Sequence, residues 1–333
     1  LYYKYAPLWD AFLHNLGCKV VYSPPTTDEI VREGSKSAVS ELCVPMKTYF
    51  GHVKALLKEH PDLDYLFVPR YVATKKNQFF CPKFMILPEV VKYRLKAEVP
   101  ILTLEADAAK RQGIESAINF AKKLGINSQK EAGKAWYFAI QKFKQHKKKM
   151  RLGQDVVELL DKLDDDEKHK RSAMKIRSRI PEQSRGKFLL NIMVVGHAYN
   201  VYEEHINMGL IHRLEEFDCN VMTLEKLPKE VFEKRILINK QYMNYWENEE
   251  EILQTARYYI TKSDQSIDGI IFLISFACGP DSLVQELLMR DIKKRKIPYL
   301  DLVLDEHSGK AGLNTRVESF VDMIRRRKYG LGD

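Results

Sequence analysis

Short apolar runs alternate along this chain with longer stretches in which apolar residues recur at helical spacing. Early on, Lys19-Val20-Val21-Tyr22-Ser23, Tyr65-Leu66-Phe67-Val68-Pro69 and Pro100-Ile101-Leu102-Thr103-Leu104 read as buried strands. A helical pattern from about Lys47 to Glu59 lies between the first two and must stop before Pro61, which cannot continue a helix. Strand, helix, strand in that order predicts a parallel sheet. From about Ser128 to Arg179 the strand pattern vanishes. Trp136, Ala139, Ile140 and Phe143 share one helix face there, as do Val156, Leu159, Leu160 and Leu163, which predicts a pair of helices packed on a domain edge. The polar break Pro181 to Gly186 is the expected domain boundary. Beyond it, Phe188 to Val195, Asn220 to Leu224, Gly269 to Ile274 and Pro298 to Val303 predict further strands. Helices are expected at about Val201 to Glu216, Asp281 to Lys294 and Leu313 to Arg327. The fold class is therefore α/β: a first α/β domain over 1–127, a helical segment over 128–182 and a second α/β domain over 187–333.

Composition supports that division. A chain of 333 residues is long for one core, and 45% hydrophobic with 30% charged residues is the make-up of an ordinary globular protein. The richest apolar run, Gly269 to Ala277, falls well short of the roughly 20 residues that cross a bilayer. Leu1-Tyr2-Tyr3-Lys4-Tyr5 has neither the basic nor the apolar region of a signal peptide, and the start reads as cut or untraced. Five scattered cysteines argue against a secreted disulfide framework and for a reducing, cytoplasmic compartment. Much of the net charge of +9 sits in Lys142 to Arg151. Such a run is usually a solvated helix face, no nucleic-acid motif accompanies it, and it equally suits an acidic redox partner.

In open α/β sheets ligands gather beyond the carboxyl ends of the strands. Cys43 lies in Glu41-Leu42-Cys43-Val44-Pro45-Met46-Lys47, just before a predicted helix. Cys278 lies in Phe276-Ala277-Cys278-Gly279-Pro280-Asp281-Ser282, where a strand turns into a helix. Cys81 lies in the loop Phe80-Cys81-Pro82-Lys83. A helix N-terminus is expected to lower a nearby thiol's pKa and favour the metal-binding thiolate. The usual fate of a free cysteine is to be a small buried hydrophobe, but three in Pro-flanked loops point to a shared site. Cys18 and Cys219 stand at strand mouths without such turns and read as packing residues. The spacings of 38 and 197 residues disfavour a local zinc module. An iron–sulfur cluster needs only that the fold bring the thiolates together, and three thiolates leave one iron open.

These motifs resemble the iron–sulfur component of the 2-hydroxyacyl-CoA dehydratases and, more closely, the CoA-substrate-specific enzyme activase-related proteins. The resemblance rests on Cys43-Val44-Pro45-Met46-Lys47 followed by Gly51-His52, on Cys81-Pro82-Lys83-Phe84 and on Cys278-Gly279-Pro280-Asp281-Ser282. It extends to Gly196-His197-Ala198-Tyr199-Asn200 and to Asp305-Glu306-His307-Ser308-Gly309 with Thr315-Arg316, and so covers nearly the whole chain. It implies two Rossmann-like domains with Cys43, Cys81 and Cys278 holding an oxygen-sensitive 4Fe–4S cluster in the cleft between them. In one branch of the family the group is a double-cubane 8Fe–9S cluster, which this chain could complete only across a homodimer. The implied partner is an actin-like ATPase activase that drives electrons to low potential in an anaerobic setting. Similar chains carry a strand ahead of the Leu1 segment, and some a fused activase. His197 and Tyr199 are then candidate catalytic residues, or else structural ones. Asp305, Glu306 and His307 are a candidate proton relay, or else a cap. Glu41, Lys83, Gly279 and Ser282 are expected around the cofactor. A dehydratase-like lyase, a double-cubane-type reductase subunit, a non-catalytic electron carrier and a scaffold with inert cysteines all remain open on the sequence.

Overall fold

The computed structural model describes residues 1–75, 78–96, 98–107, 113–151, 154–160, 163, 190–226, 246–262 and 267–330. The boundary expected at Pro181 to Gly186 lies outside the described residues.

Helices α1 (Tyr2–Asn15), α2 (Asp28–Ser37) and α3 (Val44–Glu59) open the chain. α1 buries Leu8, Trp9, Phe12 and Leu13, a helical stripe that the sequence reading left unassigned around Pro7. α2 starts at Thr27, whose hydroxyl accepts the Ile30 N–H, and carries Asp28 and Glu29 at the positive end of its dipole. Between these helices Lys19–Ser23 runs outside any assigned strand, which corrects the strand expected there. Its apolar residues are present, but no strand among the described residues pairs with it. α2 and α3 cross with their backbones touching. A Cβ on Gly34 would lie 1.9 Å from the Lys47 carbonyl oxygen, and one on Gly51 would lie 1.9 Å from that of Ile30.

Strands β1 (Leu66–Phe67) and β2 (Arg70–Ala73) run parallel to β3 (Ile101–Leu102) and β4 (Glu105–Asp107) respectively. Amides of Leu66, Val68 and Arg70 donate to the carbonyls of Pro100, Leu102 and Leu104, each at 2.9 Å, so the two ladders continue one another across Pro69. Between the strand pairs lie α4 (Pro82–Met85) and α5 (Leu87–Leu95), and after β4 come α6 (Gly113–Lys123) and α7 (Gln129–Arg151). Leu66 and Val68 pack with α3 and α5 on one face, while Tyr71, Leu102 and Leu104 pack with α1, α6 and α7 on the other. The next helix, α8 (Val156–Leu160), puts Val156, Leu159 and Leu160 into the core of the second half. Of the two helices expected as a pair, α7 packs mainly on the first core, and its Met150 joins α8 in the second.

The second half contains β5 (Leu190–Gly196), α9 (Ala198–Val201), α10 (Leu210–Glu216), β6 (Cys219–Met222), α11 (Glu247–Lys262), β7 (Gly269–Ser275), α12 (Gly279–Arg295), β8 (Tyr299–Leu304) and α13 (Lys310–Tyr329). Its strands form one parallel sheet in the order β6-β5-β7-β8. Leu190, Ile192 and Val194 of β5 face a layer containing α10 and α13, and Met193 and Val195 face α11 and α12. Burial on both faces is why these strands read as unbroken apolar runs. The helix expected over Val201 to Glu216 is instead two. Met208 and Gly209 adopt left-handed φ of 58° and 77°, and the Asn207 amide donates to the carbonyls of Asn200 and Val201, so the chain turns between them.

Winding runs from β5 outward to β6, then back past β5 to β7 and on to β8. The direction reverses between β5 and β7, which opens a crevice at their carboxyl ends. Ala6, Val31 and Val44 of the first half join the apolar cluster of β5, β7 and β8, so the halves share a packed interface next to that crevice.

Candidate metal-cluster site

All three singled-out cysteines are helix N-caps: Cys43 of α3, Cys81 of α4 and Cys278 of α12, each followed by proline in the first turn. None closes its helix with a side-chain cap bond, although the first-turn amides of Lys83 and Asp281 approach the Cys81 and Cys278 sulfurs. Proline suits the first turn because its missing N–H would have no intrahelical partner there. Cys43 is buried, and Cys81 and Cys278 are half-buried. The turn into Cys278 is tight: Ala277 takes a left-handed φ of 63°, and the Cys278 amide donates to the Ser275 carbonyl at 3.0 Å.

Contacts between the two halves bring these loops to one region. Lys83, two residues after Cys81, donates from Nζ to the Ala277 carbonyl at 3.4 Å. Phe84 packs edge-on against Tyr199 with ring centroids 6.2 Å apart, and Tyr199 stacks on His197 at 4.7 Å. The negative charge of a Cys43 thiolate reaches Cys81, and the Tyr199 phenol feels both Cys278 and Cys43. Cys18 and Cys219 lie elsewhere. Cys18 packs against the α1 core, and Cys219 sits on β6 with its thiol directed to the Phe217 carbonyl at 3.6 Å.

The thiol pKa values run opposite to the expectation from helix dipoles. Burial raises Cys81, and it pushes Cys278 up to about 11 although a contact with His197 pulls the other way. Loss of solvation outweighs the neighbouring hydrogen bonds and charges that would favour the thiolates.

His197 follows β5, and its Nε2 lies 2.8 Å from Asp281 Oδ1 and 3.4 Å from Glu249 Oε1. The Asp281 contact is an ion-pair approach without hydrogen-bond alignment. Burial works against a charged imidazole, yet the Asp281 carboxylate, Cys278 and Glu249 together lift the His197 pKa well above its ordinary value. Burial and the neighbouring Asp281, Cys278 and Cys43 charges keep the Tyr199 phenol protonated. Asp281 belongs to the Cys278 motif but was given no role on the sequence, and Glu249 was not singled out at all. The acidic run Glu247, Glu249 and Glu250 at the start of α11 is the only signal that could have found it.

Other candidates resolve individually. Gly279 is exposed with open space around its Cα, and the Ser282 hydroxyl donates to the Cys278 carbonyl at 3.1 Å. Glu41 is exposed, and bonds from its own amide and the Ser40 hydroxyl hold its carboxyl below the usual range. Asp305 accepts from the His307 amide at 2.8 Å and the Ser308 hydroxyl at 2.9 Å, which fixes the turn after β8. Glu306 pairs with Lys47 of α3 at 2.5 Å, while the His307 ring is exposed. His52, next to the crossing glycine, bridges the Ser23 and Thr26 hydroxyls at 2.9 Å each, and burial lowers its pKa to about 4.

A mixed α/β protein with parallel sheets, in which three cysteines begin helices, is the class defined by this geometry. Residues 1–227 match the family model of the CoA enzyme activase uncharacterised domain, and residues 231–324 match that of the 2-hydroxyglutaryl-CoA dehydratase D-component. The chain belongs to the CoA enzyme activase domain family, within the 2-hydroxyacyl-CoA dehydratase superfamily. No curated protein matches it. Among the described residues no helix is long and apolar enough to cross a membrane.

Proposed function

We propose that this chain holds a 4Fe–4S cluster on Cys43, Cys81 and Cys278 and accepts low-potential electrons from an ATP-dependent activase for reductive or dehydratase-type chemistry. What supports the reading is that three cysteines stand at helix N-caps and that Lys83, beside Cys81, donates to the Ala277 carbonyl, beside Cys278. When bound, such a cluster supplies one-electron redox chemistry and, with three protein thiolates, an iron open to substrate. The donor set fits that group. It is all sulfur, and soft thiolate ligands suit iron–sulfur clusters.

The protein's own groups have separate tasks in this reading. Tyr199 keeps its phenol proton and offers an O–H donor beside Cys43 and Cys278. His197, held by Asp281 and Glu249, orients the Cys278 turn, and Lys83 ties the Cys81 loop to Ala277 across the crevice. Val44, buried next to Cys43, and Ala198, buried next to His197, keep water from that side.

Anaerobic purification with iron and sulfide analysis tests this reading. About four irons per chain with labile sulfide, lost in air, are expected. Cys43→Ala, Cys81→Ala and Cys278→Ala should each abolish assembly, and Cys18→Ala and Cys219→Ala should not. Zinc without sulfide, or a cluster that survives Cys278→Ala and not Cys18→Ala, refutes it. A double cubane needs about six thiolates, so eight irons in a monomer would overturn the single-cubane count. Reduction of the cluster by an activase only when ATP is hydrolysed tests the electron route.

A further inference from the structure

Beside the three-thiol site is a second donor set of different chemistry. One nitrogen of His197, one oxygen of Asp281 and the sulfur of Cys278 all lie within 4.8 Å of one another. The His197 and Asp281 side chains are 3% and 6% exposed. Asp281 Oδ2 is buried with no hydrogen-bond partner among the described residues, as is Glu249 Oε2, and both carboxylates lie against the His197 ring through their other oxygens. Buried polar atoms are rarely left unpaired, because each orphan costs about 1–3 kcal/mol. Two unpaired carboxylate oxygens around one imidazole, with a thiol alongside, describe a place for a cation.

We propose that His197, Asp281 and Cys278 bind a single divalent transition-metal ion of the zinc or ferrous type, and that this ion competes with the cluster for the Cys278 sulfur. The donors suit such an ion: one imidazole, one carboxylate and one thiolate form a mixed borderline-soft set. Metal–ligand distances of about 2.0–2.3 Å place the donors of one ion roughly 3–4 Å apart, so small side-chain rotations complete the site. The Nε2 to Oδ1 separation of 2.8 Å is already close to that range. Binding releases the protons of the imidazolium and the thiol, and the neutral imidazole, carboxylate and thiolate that result cancel a divalent ion and leave no net charge to desolvate. The donors stand at the carboxyl ends of β5 and β7, so the sheet holds them in place. A fourth position stays open, with Glu249 adjacent. The competition rests on the cluster reading; the ion site itself does not.

The test uses the full chain, purified in air, treated with chelator and titrated with Co2+ as a spectroscopic stand-in for zinc. One Co2+ per chain with near-ultraviolet thiolate-to-cobalt absorption is expected, retained in Cys43→Ser and Cys81→Ser and lost in Cys278→Ser. His197→Gln and Asp281→Asn should weaken binding by at least about 100-fold, the upper end of what loss of a supporting partner costs. Equal binding in those two variants, or absorption lost in Cys43→Ser or Cys81→Ser, overturns the proposal, the latter because the ion would then sit among the three thiols. Should a variant fail to fold by circular dichroism, X-ray absorption of the zinc-loaded wild type decides. One sulfur with nitrogen and oxygen supports the site, and three sulfurs refute it. Zinc-loaded chain should also resist reconstitution with iron and sulfide, and full cluster uptake with zinc retained refutes the competition. A chain that binds cobalt as described but takes up no iron and sulfide in the absence of zinc refutes the cluster and leaves the ion site standing.

Discussion

Replacing Lys47 with Met removes one charge from a pair that joins the two halves close to Cys43. Lys47 Nζ lies 2.5 Å from Glu306 Oε1, with side-chain exposures of 6% and 16%. Breaking a fully buried pair costs about 3–5 kcal/mol, because the remaining charge is stranded. Water still reaches Glu306, so Lys47→Met should cost less, about 2–3 kcal/mol once that screening is allowed for. Glu306→Gln strands the more deeply buried ammonium and should cost more. The double variant Lys47→Met/Glu306→Gln leaves no unpaired charge, and its loss should fall short of the sum of the singles by about 1–3 kcal/mol. Urea unfolding of the four proteins gives these differences from midpoints at constant slope. Acid adds a second signature. Burial would raise the Glu306 carboxyl, yet the bond from Lys47 and its charge hold it below its ordinary 4.5. Its contribution is thus present above about 4.5 and is lost as pH falls through the lowered folded value, and Lys47→Met should abolish that loss. Single variants that each cost under about 0.5 kcal/mol, or that add without coupling, would show that the pair is solvated and does not join the halves.

Gly51→Ala drives a Cβ to 1.9 Å from the Ile30 carbonyl, a backbone atom that cannot rotate away, and should cost about 3 kcal/mol, the upper end for overpacking. The exposed Gly312 of α13 meets nothing, so Gly312→Ala should instead stabilise by up to about 1 kcal/mol, and equal effects in thermal melts would contradict the α2–α3 crossing. His212 accompanies Glu204 and Glu215, whose carboxylates raise its pKa to about 9. Its stabilisation should be complete below the ordinary 6.5 and fade as pH rises through about 9, a difference lost in His212→Gln. An NMR titration of His212 with a midpoint below 7 would refute that pairing.

How much was legible in the residues depended on whether a property is local. The strands of the second half could be read because burial on both faces demands unbroken runs such as Gly269-Ile270-Ile271-Phe272-Leu273-Ile274. The helix starts after Cys43 and Cys278 were equally legible, since a proline one or two residues on marks where each begins, whereas Cys81 read only as a loop residue and its short helix did not show. Lys19–Ser23 has the composition of a strand, but a ladder is a relation between two segments and composition names only one of them. Gly51 acquires its reason only from Ile30 across the helix crossing. The Lys47–Glu306 pair and the His197, Glu249 and Asp281 cluster likewise join residues far apart in the chain. Even the direction of the Cys278 pKa was a tertiary matter. The dipole of α12 could be inferred from the helix start, while the burial that overrides it is set by everything packed around the turn.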